Sequence, residues 1–271
     1  MKSLKILTLL LLTGNIAVAI PPSESFHFTS SSSFRTVSNK SFKAGEELRY
    51  RIHYGPIDAG EAIIKIENST KKVKGRSLLH VIAEGRSLPA FDPVYRVRDR
   101  YESYIDKEGL FPWVFARRVN EGGYKIEQDY TFFQHQKQVD VGNGKKHSVP
   151  EFVQDMVSSY YYARTLDYDN AKVGQVFSFK TYVDEELFEL KVKYMGKETI
   201  SLRKGKFKCL KFQPVVIEGR TFKESDDLEV WITDDKNRIP ILVKAEIFLG
   251  SIKMEVVEYK NLLNPISKVE K

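Results

Sequence analysis

Two long stretches of the chain resemble each other, and this repeat restricts the possible folds more than any other feature of the sequence. Each stretch opens a strand-like segment after a glycine, opens another at a Gly-basic pair, and reaches a proline before an apolar strand. The matching positions are Gly45 and Gly174, Gly75 and Gly205, Glu102 and Glu229, Pro112 and Pro240, and Gly123 and Gly250. Their offsets stay between 127 and 130 residues. Matches in one order at nearly constant spacing predict a duplicated β-meander, with chance similarity between two runs of hairpins as the alternative.

The segments inside each repeat show the two-residue period of β-strands. Leu48, Tyr50 and Ile52 share one face, and the residues between them are charged. This alternation is typical of an antiparallel sheet with one face against a core and the other in water. Turn signals are too frequent, and helical patterns too few, for a parallel α/β sheet.

We therefore predict a mainly β protein: an antiparallel curved sheet or half-barrel built from two similar β-meander halves, residues 42–147 and 167–264. Two meanders of about five or six strands each exceed what one flat open sheet comfortably holds, so the sheet should curl or close. An all-β pack with a peripheral helix is the alternative.

One amphipathic helix is predicted between the halves, over residues 148–166. Phe152, Met156 and Tyr160 follow the helical stripe of a segment with one buried face, and Tyr161 lies beside them. Ser148 has the spacing of a capping box with the glutamate three residues later. We expect the stripe to lie over an apolar mouth of the sheet or across the join between the halves.

The amino terminus has the anatomy of a secretory signal. Residues 1–19 combine two lysines, a short apolar run and an Ala-Val-Ala cleavage site, and an uncleaved anchor is the alternative. Residues 20–41 are rich in Ser, Thr and Pro, which predicts a flexible tether. Because no later stretch approaches the ~20 apolar residues of a spanning helix, we expect the chain to be exported and soluble, in the periplasm or associated with the outer envelope.

The charge balance points to no particular partner. Without Lys2 and Lys5 the chain has 41 basic and 36 acidic residues, a formal charge of +5. This balance is compatible with weak attraction to an anionic membrane surface or an acidic polymer, and we expect no nucleic acid partner. Cys209 is the only cysteine, so the chain has no internal disulfide framework.

Motifs for catalysis or cofactor binding are missing from the sequence. The five histidines form no HxH, HxxxH or HExxH group, and no nucleophile elbow, Walker loop or dinucleotide fingerprint occurs. We therefore expect no metal, no cofactor and no enzymatic activity. A hydrolase site assembled only in three dimensions is the alternative.

Two groups of side chains are candidates for ligand binding. Arg96, Arg98 and Arg100 lie on one face of one strand. Facing inward they would form a basic pocket for a carboxylate or phosphate head group, whereas facing outward they would be solvated with partners on neighbouring strands, which is the favoured interpretation. The second group is apolar and aromatic, and core packing is its more frequent explanation. Its members are Trp113, Phe152, Met156, Tyr160, Tyr161 and Trp231.

Three segments resemble the bacterial envelope family called domain of unknown function 3108. They are residues 54–62 (YGPIDAGEA), residues 158–164 in the predicted helix, and residues 230–234 (VWITD) leading to Arg238-Ile239-Pro240. The resemblance covers about residues 42–262, and it implies export and a β architecture without catalytic residues. The closing pattern is also similar to periplasmic lipoprotein carriers, which are curved antiparallel sheets with an apolar concave face closed by helices. This chain differs from them in its single long helix and its second half.

The leading functional hypothesis is an exported, non-enzymatic β-protein that binds an apolar or amphipathic, lipid-like molecule in a concave cavity. The alternative is an interaction module for envelope assembly or maintenance, which would use sheet edges and the basic strand and no small-molecule ligand.

Overall fold

The computed structural model describes residues 34–215, 228–247 and 250–269. The predicted signal peptide, residues 1–19, and most of the predicted tether, residues 20–41, lie outside the described residues. Within the described part, 15 strands form a single antiparallel sheet. The mainly β prediction is therefore confirmed.

The strands and the helix follow one another in the order of the predicted repeat. The first half contains β1 (Glu47–Tyr54), β2 (Ile57–Val73), β3 (Arg76–Ser87), β4 (Arg98–Asp106), β5 (Pro112–Glu121) and β6 (Tyr124–Phe133). Between the halves lie β7 (Gln138–Asp140), β8 (Lys146–Ser148) and the helix α1 (Met156–Ala163). The second half contains β9 (Val176–Val183), β10 (Glu186–Leu202), β11 (Gly205–Pro214), β12 (Leu228–Thr233), β13 (Pro240–Ile247) and β14 (Gly250–Lys260), and the short β15 (Lys268–Val269) follows.

The two halves are meanders of six strands each, and their corresponding strands match in length at the start. β1 and β9 have 8 residues each, and β2 and β10 have 17 each. The strand order runs from β8 through β7 to β1, then from β14 to β9. The halves therefore join where β1 pairs with β14, and the curved sheet ends at β8 and β9 without closing into a barrel.

The helix is shorter than predicted and begins at Met156 rather than at residue 148. Phe152 has a left-handed backbone with φ of 59°, and Gln154 forms a parallel bridge with Thr181 of β9. These tertiary contacts keep the preceding segment extended or irregular. The capping box uses Asp155, whose carboxylate accepts from the Ser158 N–H while the Ser158 hydroxyl accepts from the Asp155 N–H. The predicted box starting at Ser148 is wrong, because Ser148 belongs to β8.

Both halves and the helix share one core. Leu48, Tyr50 and Ile52 of β1 are buried on the inner face of the sheet, as the alternation predicted. The largest apolar cluster combines side chains from both halves with Met156 and Tyr161 of α1. We call the opposite face, on which Arg49 and Arg51 lie, the outer face.

A buried ion pair connects the residue that follows helix α1 to the residue that precedes strand β1. The Arg164 guanidinium donates to both carboxylate oxygens of Glu46, at 2.6 and 2.9 Å, and both side chains are almost fully buried. Arg164 also donates to the backbone carbonyls of Ser41 and Asn237. The pair therefore connects four segments of the chain.

Residues 34–41, the described end of the predicted tether, lie against the sheet. The ring centroid of Phe34 is 5.3 Å from that of Trp113, and the Arg35 guanidinium donates to the carbonyl of Gly109 at 2.7 Å. These contacts hold residues 34 and 35 against β5 and the loop that precedes it.

Candidate functional site

A cavity on the outer face of the first half is lined by more arginines than any other type of residue. Its volume is about 400 Å³. Five arginines, three carboxylates and two small or apolar residues line it: Arg49, Glu61, Ile63, Glu84, Gly85, Arg86, Arg98, Asp99, Arg100 and Arg118. We call this cavity the arginine groove.

The strand register brings these residues together in two adjacent rows across the sheet. In one row Glu61 of β2 pairs with Arg86 of β3, which pairs with Arg98 of β4. The neighbouring row crosses five strands, in the order Arg49, Ile63, Glu84, Arg100 and Arg118. Because successive outer-face positions are two residues apart along each strand, the rows form one continuous charged surface.

Two pairs of arginines are direct cross-strand neighbours, Arg86 with Arg98 and Arg100 with Arg118. Like charges directly opposite each other destabilise a sheet unless they are compensated. Carboxylates supply this compensation. Arg98 binds Asp92 through both of its terminal nitrogens, at 3.1 and 2.6 Å, and the Arg118 Nη2 donates to both carboxylate oxygens of Asp129, at 2.9 and 2.8 Å.

Of the remaining arginines, Arg86 and Arg49 share one carboxylate and Arg100 has two. The Arg86 Nε donates to Glu61 at 2.6 Å, and the Arg49 guanidinium lies 3.7 Å from the same carboxylate. Arg100 donates to Glu102 at 2.7 Å and also binds Glu84. Together with Asp92, Glu102 and Asp129, the carboxylates Glu61 and Glu84 largely balance the charge of the five arginines.

The pKa values of the flanking acids follow from these contacts. Burial raises the pKa of Glu102, but hydrogen bonds from Arg100 and His80 outweigh burial, and the pKa lies below its ordinary value. The hydrogen bond from Arg98 is the main cause of the lowered pKa of Asp92. Both acids therefore stay ionised at neutral pH and hold the arginines in place.

The predicted arginines lie on the outer face, as the favoured interpretation stated. Arg98 and Arg100 line the groove, whereas Arg96 precedes β4 and is exposed outside it. The prediction of a basic face turned into a barrel does not describe this structure, because the inner face of β4 carries the buried side chains of Tyr101 and Ser103.

The structure does not bring the predicted aromatic group together at one site. Met156 and Tyr161 are buried in the main core, and the half-buried Tyr160 has its hydroxyl 3.1 Å from that of Tyr50. The rings of Trp113 and Phe152 both pack against Phe111. These residues lie away from the arginine groove.

Trp231 is buried in β12 of the second half. Its indole N–H donates to Glu198 at 2.8 Å, and the ammonium groups of Lys211 and Lys244 lie 4.9 and 5.0 Å from the ring centroid. These contacts are those of a packed, cation-covered side chain.

Three of the five groove arginines, Arg49, Arg86 and Arg118, were not predicted as site residues. Each lies on a strand where alternation identifies its face. Their convergence depends on the register between strands far apart in sequence, which one sequence does not specify. The sequence indicates only which consecutive strands pair as hairpins.

A polar cluster inside the core connects the helix to β4. The buried Asp155 carboxylate accepts from the Ser103 hydroxyl at 2.6 Å and from the N–H groups of Val157 and Ser158 at 2.7 Å. Burial outweighs these bonds and raises the pKa of Asp155 to about 6. The nearby Arg117 is also buried and binds Asp184 of the β9–β10 turn.

Residues 34–215, 228–247 and 250–269 contain neither a cluster of metal-ligating side chains nor a membrane-spanning helix. No three His, Cys, Asp or Glu side chains there lie close enough together to hold a metal ion. No helix in these ranges combines the length and apolar character needed to cross a membrane.

The family described as protein of unknown function (DUF3108) matches residues 49–257, well over half of the chain. The chain belongs to the DUF3108 family. The predicted resemblance is thereby confirmed, and the family description assigns no activity. No curated protein sequence matches this DUF3108 protein.

Two solved structures resemble this DUF3108 protein. The first is a β-barrel-like protein of the domain of unknown function DUF1849 from Brucella abortus, with a TM-score of 0.50 and 8% identity over 80% of this chain and 97% of that one. The second is titled a "putative lipoprotein" from Parabacteroides distasonis ATCC 8503, with a TM-score of 0.36 and 9% identity over 83% of this chain and 100% of that one. At such low identity the first match establishes a shared β-barrel-like fold and nothing about function.

Proposed function

We propose that this DUF3108 protein is an exported, non-enzymatic binding protein of the cell envelope whose arginine groove holds the anionic group of an amphipathic molecule. The observation that carries the proposal is the convergence of five arginines from β1, β3, β4 and β5 on one cavity of about 400 Å³. Cavities of roughly 300–1,000 Å³ accommodate small ligands.

The chemistry of the groove favours a phosphate or carboxylate. A guanidinium carries five N–H donors in a fixed fork, so an arginine bound to one carboxylate keeps donors for a second anion. Arg86, Arg100 and Arg118 are partly exposed at the groove. Ile63 adds an apolar contact in the same lining, which favours an amphipathic molecule over a bare ion.

Core side chains occupy the inner face of the sheet, so we place the ligand on the outer face. Met156 and Tyr161 occupy the core beneath the helix, where the concave ligand cavity was expected. The ligand class predicted from the sequence is retained, and the proposed binding surface is different.

The test measures binding of dihexanoyl phosphatidic acid by calorimetry, with dihexanoyl phosphatidylcholine and inorganic phosphate as comparison ligands. We expect phosphatidic acid to bind best, with an affinity that falls as salt is added. Changing Arg100→Gln and Arg118→Gln together should weaken binding by about tenfold or more.

The matched control is Arg203→Gln, which alters another exposed, ion-paired arginine outside the groove. It should leave the affinity unchanged. Equal binding of phosphatidylcholine, or an unchanged affinity in the double variant, would refute the proposal. Equal affinity for inorganic phosphate would remove the apolar part of the ligand from it.

A further inference from the structure

A second basic surface, distinct from the arginine groove, lies at the open edge of the sheet. The described residues include nine exposed large hydrophobic side chains, and four of these lie around one end of the β9–β10 hairpin. They are Val173, Val176, Met195 and Val215, with 71%, 49%, 38% and 43% of their surface exposed. Single exposed apolar residues are ordinary, whereas a group of four indicates a contact surface.

Strand pairing and close contacts place the four residues around β10. Val176 pairs with Lys193 across the hairpin, and the N–H of Val215 donates to the carbonyl of Lys191 at 2.8 Å. Met195 is the bulged residue of β10 next to Gly196, and a Cβ placed on Gly196 would lie 3.6 Å from Val173. The four side chains therefore surround one stretch of β10.

Lysines alternate with these apolar side chains. Lys180, Lys191 and Lys193 lie on the same face as Val176, because the register pairs Lys180 with Glu189, Ser178 with Lys191 and Val176 with Lys193. Glu189 is the acidic residue of this row, and it lies 3.8 Å from Lys180 and 3.2 Å from Lys191. Three lysines against one glutamate leave a positive surface, which with the four hydrophobic residues we call the edge surface.

The charge of the hairpin changes along its length. Asp184 and Glu185 form the turn at the far end, where Asp184 binds the buried Arg117. The acidic end is therefore held against the first half, and the basic, apolar end points to the rim of the sheet.

This composition fits a lipid surface better than a protein partner. Lysines are depleted at protein interfaces, where their charge must be desolvated. At a bilayer surface the lysine chains extend to the anionic head groups while neighbouring apolar side chains enter the head-group layer. Each lysine near an anionic surface adds attraction, so charge and apolar contact act together there.

We propose that the edge surface docks reversibly onto an anionic lipid bilayer. Val173, Val176, Met195 and Val215 enter the head-group layer, and Lys180, Lys191 and Lys193 bind the lipid phosphates. This contact is separate from the ligand site of the arginine groove and does not depend on it.

Co-sedimentation of the purified protein with vesicles tests this docking. The probes are vesicles of equal parts phosphatidylglycerol and phosphatidylethanolamine, with phosphatidylcholine vesicles as the neutral comparison. We expect binding to the anionic vesicles only, and the bound fraction should fall with added salt. Changing Lys191→Gln should weaken vesicle binding about fivefold, and Lys193→Gln should do the same.

A second variant pair addresses the apolar contact. Val176→Asp with Met195→Asp should abolish sedimentation, whereas Val94→Asp, which alters an apolar side chain 72% exposed in the first half, should not. The lysine variants keep the surface polar, so they test the proposal even if the aspartate pair unfolds the hairpin.

Several outcomes would overturn the proposal. These are equal binding to phosphatidylcholine, no effect of the lysine variants, or a dimer in light scattering that the aspartate pair dissociates, which would make the edge surface a contact between two copies. The Arg100→Gln and Arg118→Gln variant should sediment like the wild type. Loss of vesicle binding in that variant alone would assign the bilayer contact to the arginine groove.

Discussion

β1 and β9 occupy equivalent places in the two halves, but they have different surroundings. β1 lies in the interior of the sheet between β2 and β14, whereas β9 is the last strand of the sheet. Arg49 of β1 accordingly has carboxylates on both sides, Glu61 on β2 and Glu258 on β14. The equivalent Ser178 of β9 has one, Glu189 of β10.

The difference shows how one repeated unit can give two kinds of surface. An interior strand with neighbours on both sides can hold rows of charges that neutralise one another, and the arginine groove is built in this way. An edge strand has fewer partners, so its lysines and apolar side chains stay exposed. Position in the sheet, rather than the repeated pattern, decides which surface forms.

The largest effect on stability is expected for the residue that precedes β1, because the equivalent residue before β9 has different surroundings. Glu46 precedes β1 and is buried with Arg164, whereas its equivalent Gln175 precedes β9 and is exposed. Glu46→Gln leaves the Arg164 charge buried without its partner, so the free energy of unfolding should fall by about 3–5 kcal/mol.

Urea unfolding measures this loss, and Gln175→Glu is the control. That change should alter the free energy of unfolding by about 0.5 kcal/mol or less, because the site is exposed. Similar effects of the two changes would contradict the difference between the halves.

The second effect concerns Asp155, which caps the helix between β8 and β9. Its pKa is raised by burial to about 6 from an ordinary value of 3.8. Since the folded state favours the protonated form, this group's stabilising contribution is complete below about pH 4 and is lost as the pH rises through 6. One pKa unit corresponds to about 1.4 kcal/mol, so the loss is about 3 kcal/mol.

Asp155→Asn cannot ionise and should not show this loss. The difference in unfolding free energy between variant and wild type should therefore shift in favour of the variant between pH 4 and pH 7, as measured by urea unfolding at each pH. A difference that does not change with pH would show that Asp155 keeps an ordinary pKa.

The third prediction compares a proline substitution in the edge strand β9 with one in the interior strand β1. Tyr182 donates to Gln154 and Lys180 accepts from it on the open side of β9, so the N–H of Ser178 also points outward by alternation. Ser178→Pro should lower the free energy of unfolding by less than about 1 kcal/mol. Arg49→Pro removes a ladder bond inside the sheet and should lower it by about 2 kcal/mol.

Thermal and urea unfolding of both proline variants give the comparison. If Ser178→Pro destabilised the protein as much as Arg49→Pro, the pairing of β9 on this side would extend beyond Gln154 to Ser178. The strand would then no longer be an edge.

Much of the fold could be predicted from the sequence because its signals are local. The alternation of Leu48, Tyr50 and Ile52 depends on neighbouring residues, and the offset between Gly45 and Gly174 is a property of the sequence itself. The start of the helix could not be predicted, because the bridge between Gln154 and Thr181 is a tertiary contact.

The arginine groove could be predicted from the sequence only in part. The shared face of Arg98 and Arg100 follows from strand alternation. That Arg49 lies in the same row as Arg118 follows only from the register of four successive strand pairs. A shift of one residue in any pair would move a side chain to the other face.

The pairing of β1 with β14 also affects how the chain folds. Glu47 and Lys260 are 213 residues apart in sequence, yet their side chains meet across this pair. Contacts between such distant residues form slowly, because a long loop must close before they contribute stability. β1 can therefore complete its pairing only when β14, the last strand of the second half, is available. Until β14 pairs with β1, the two meanders are not joined in one sheet.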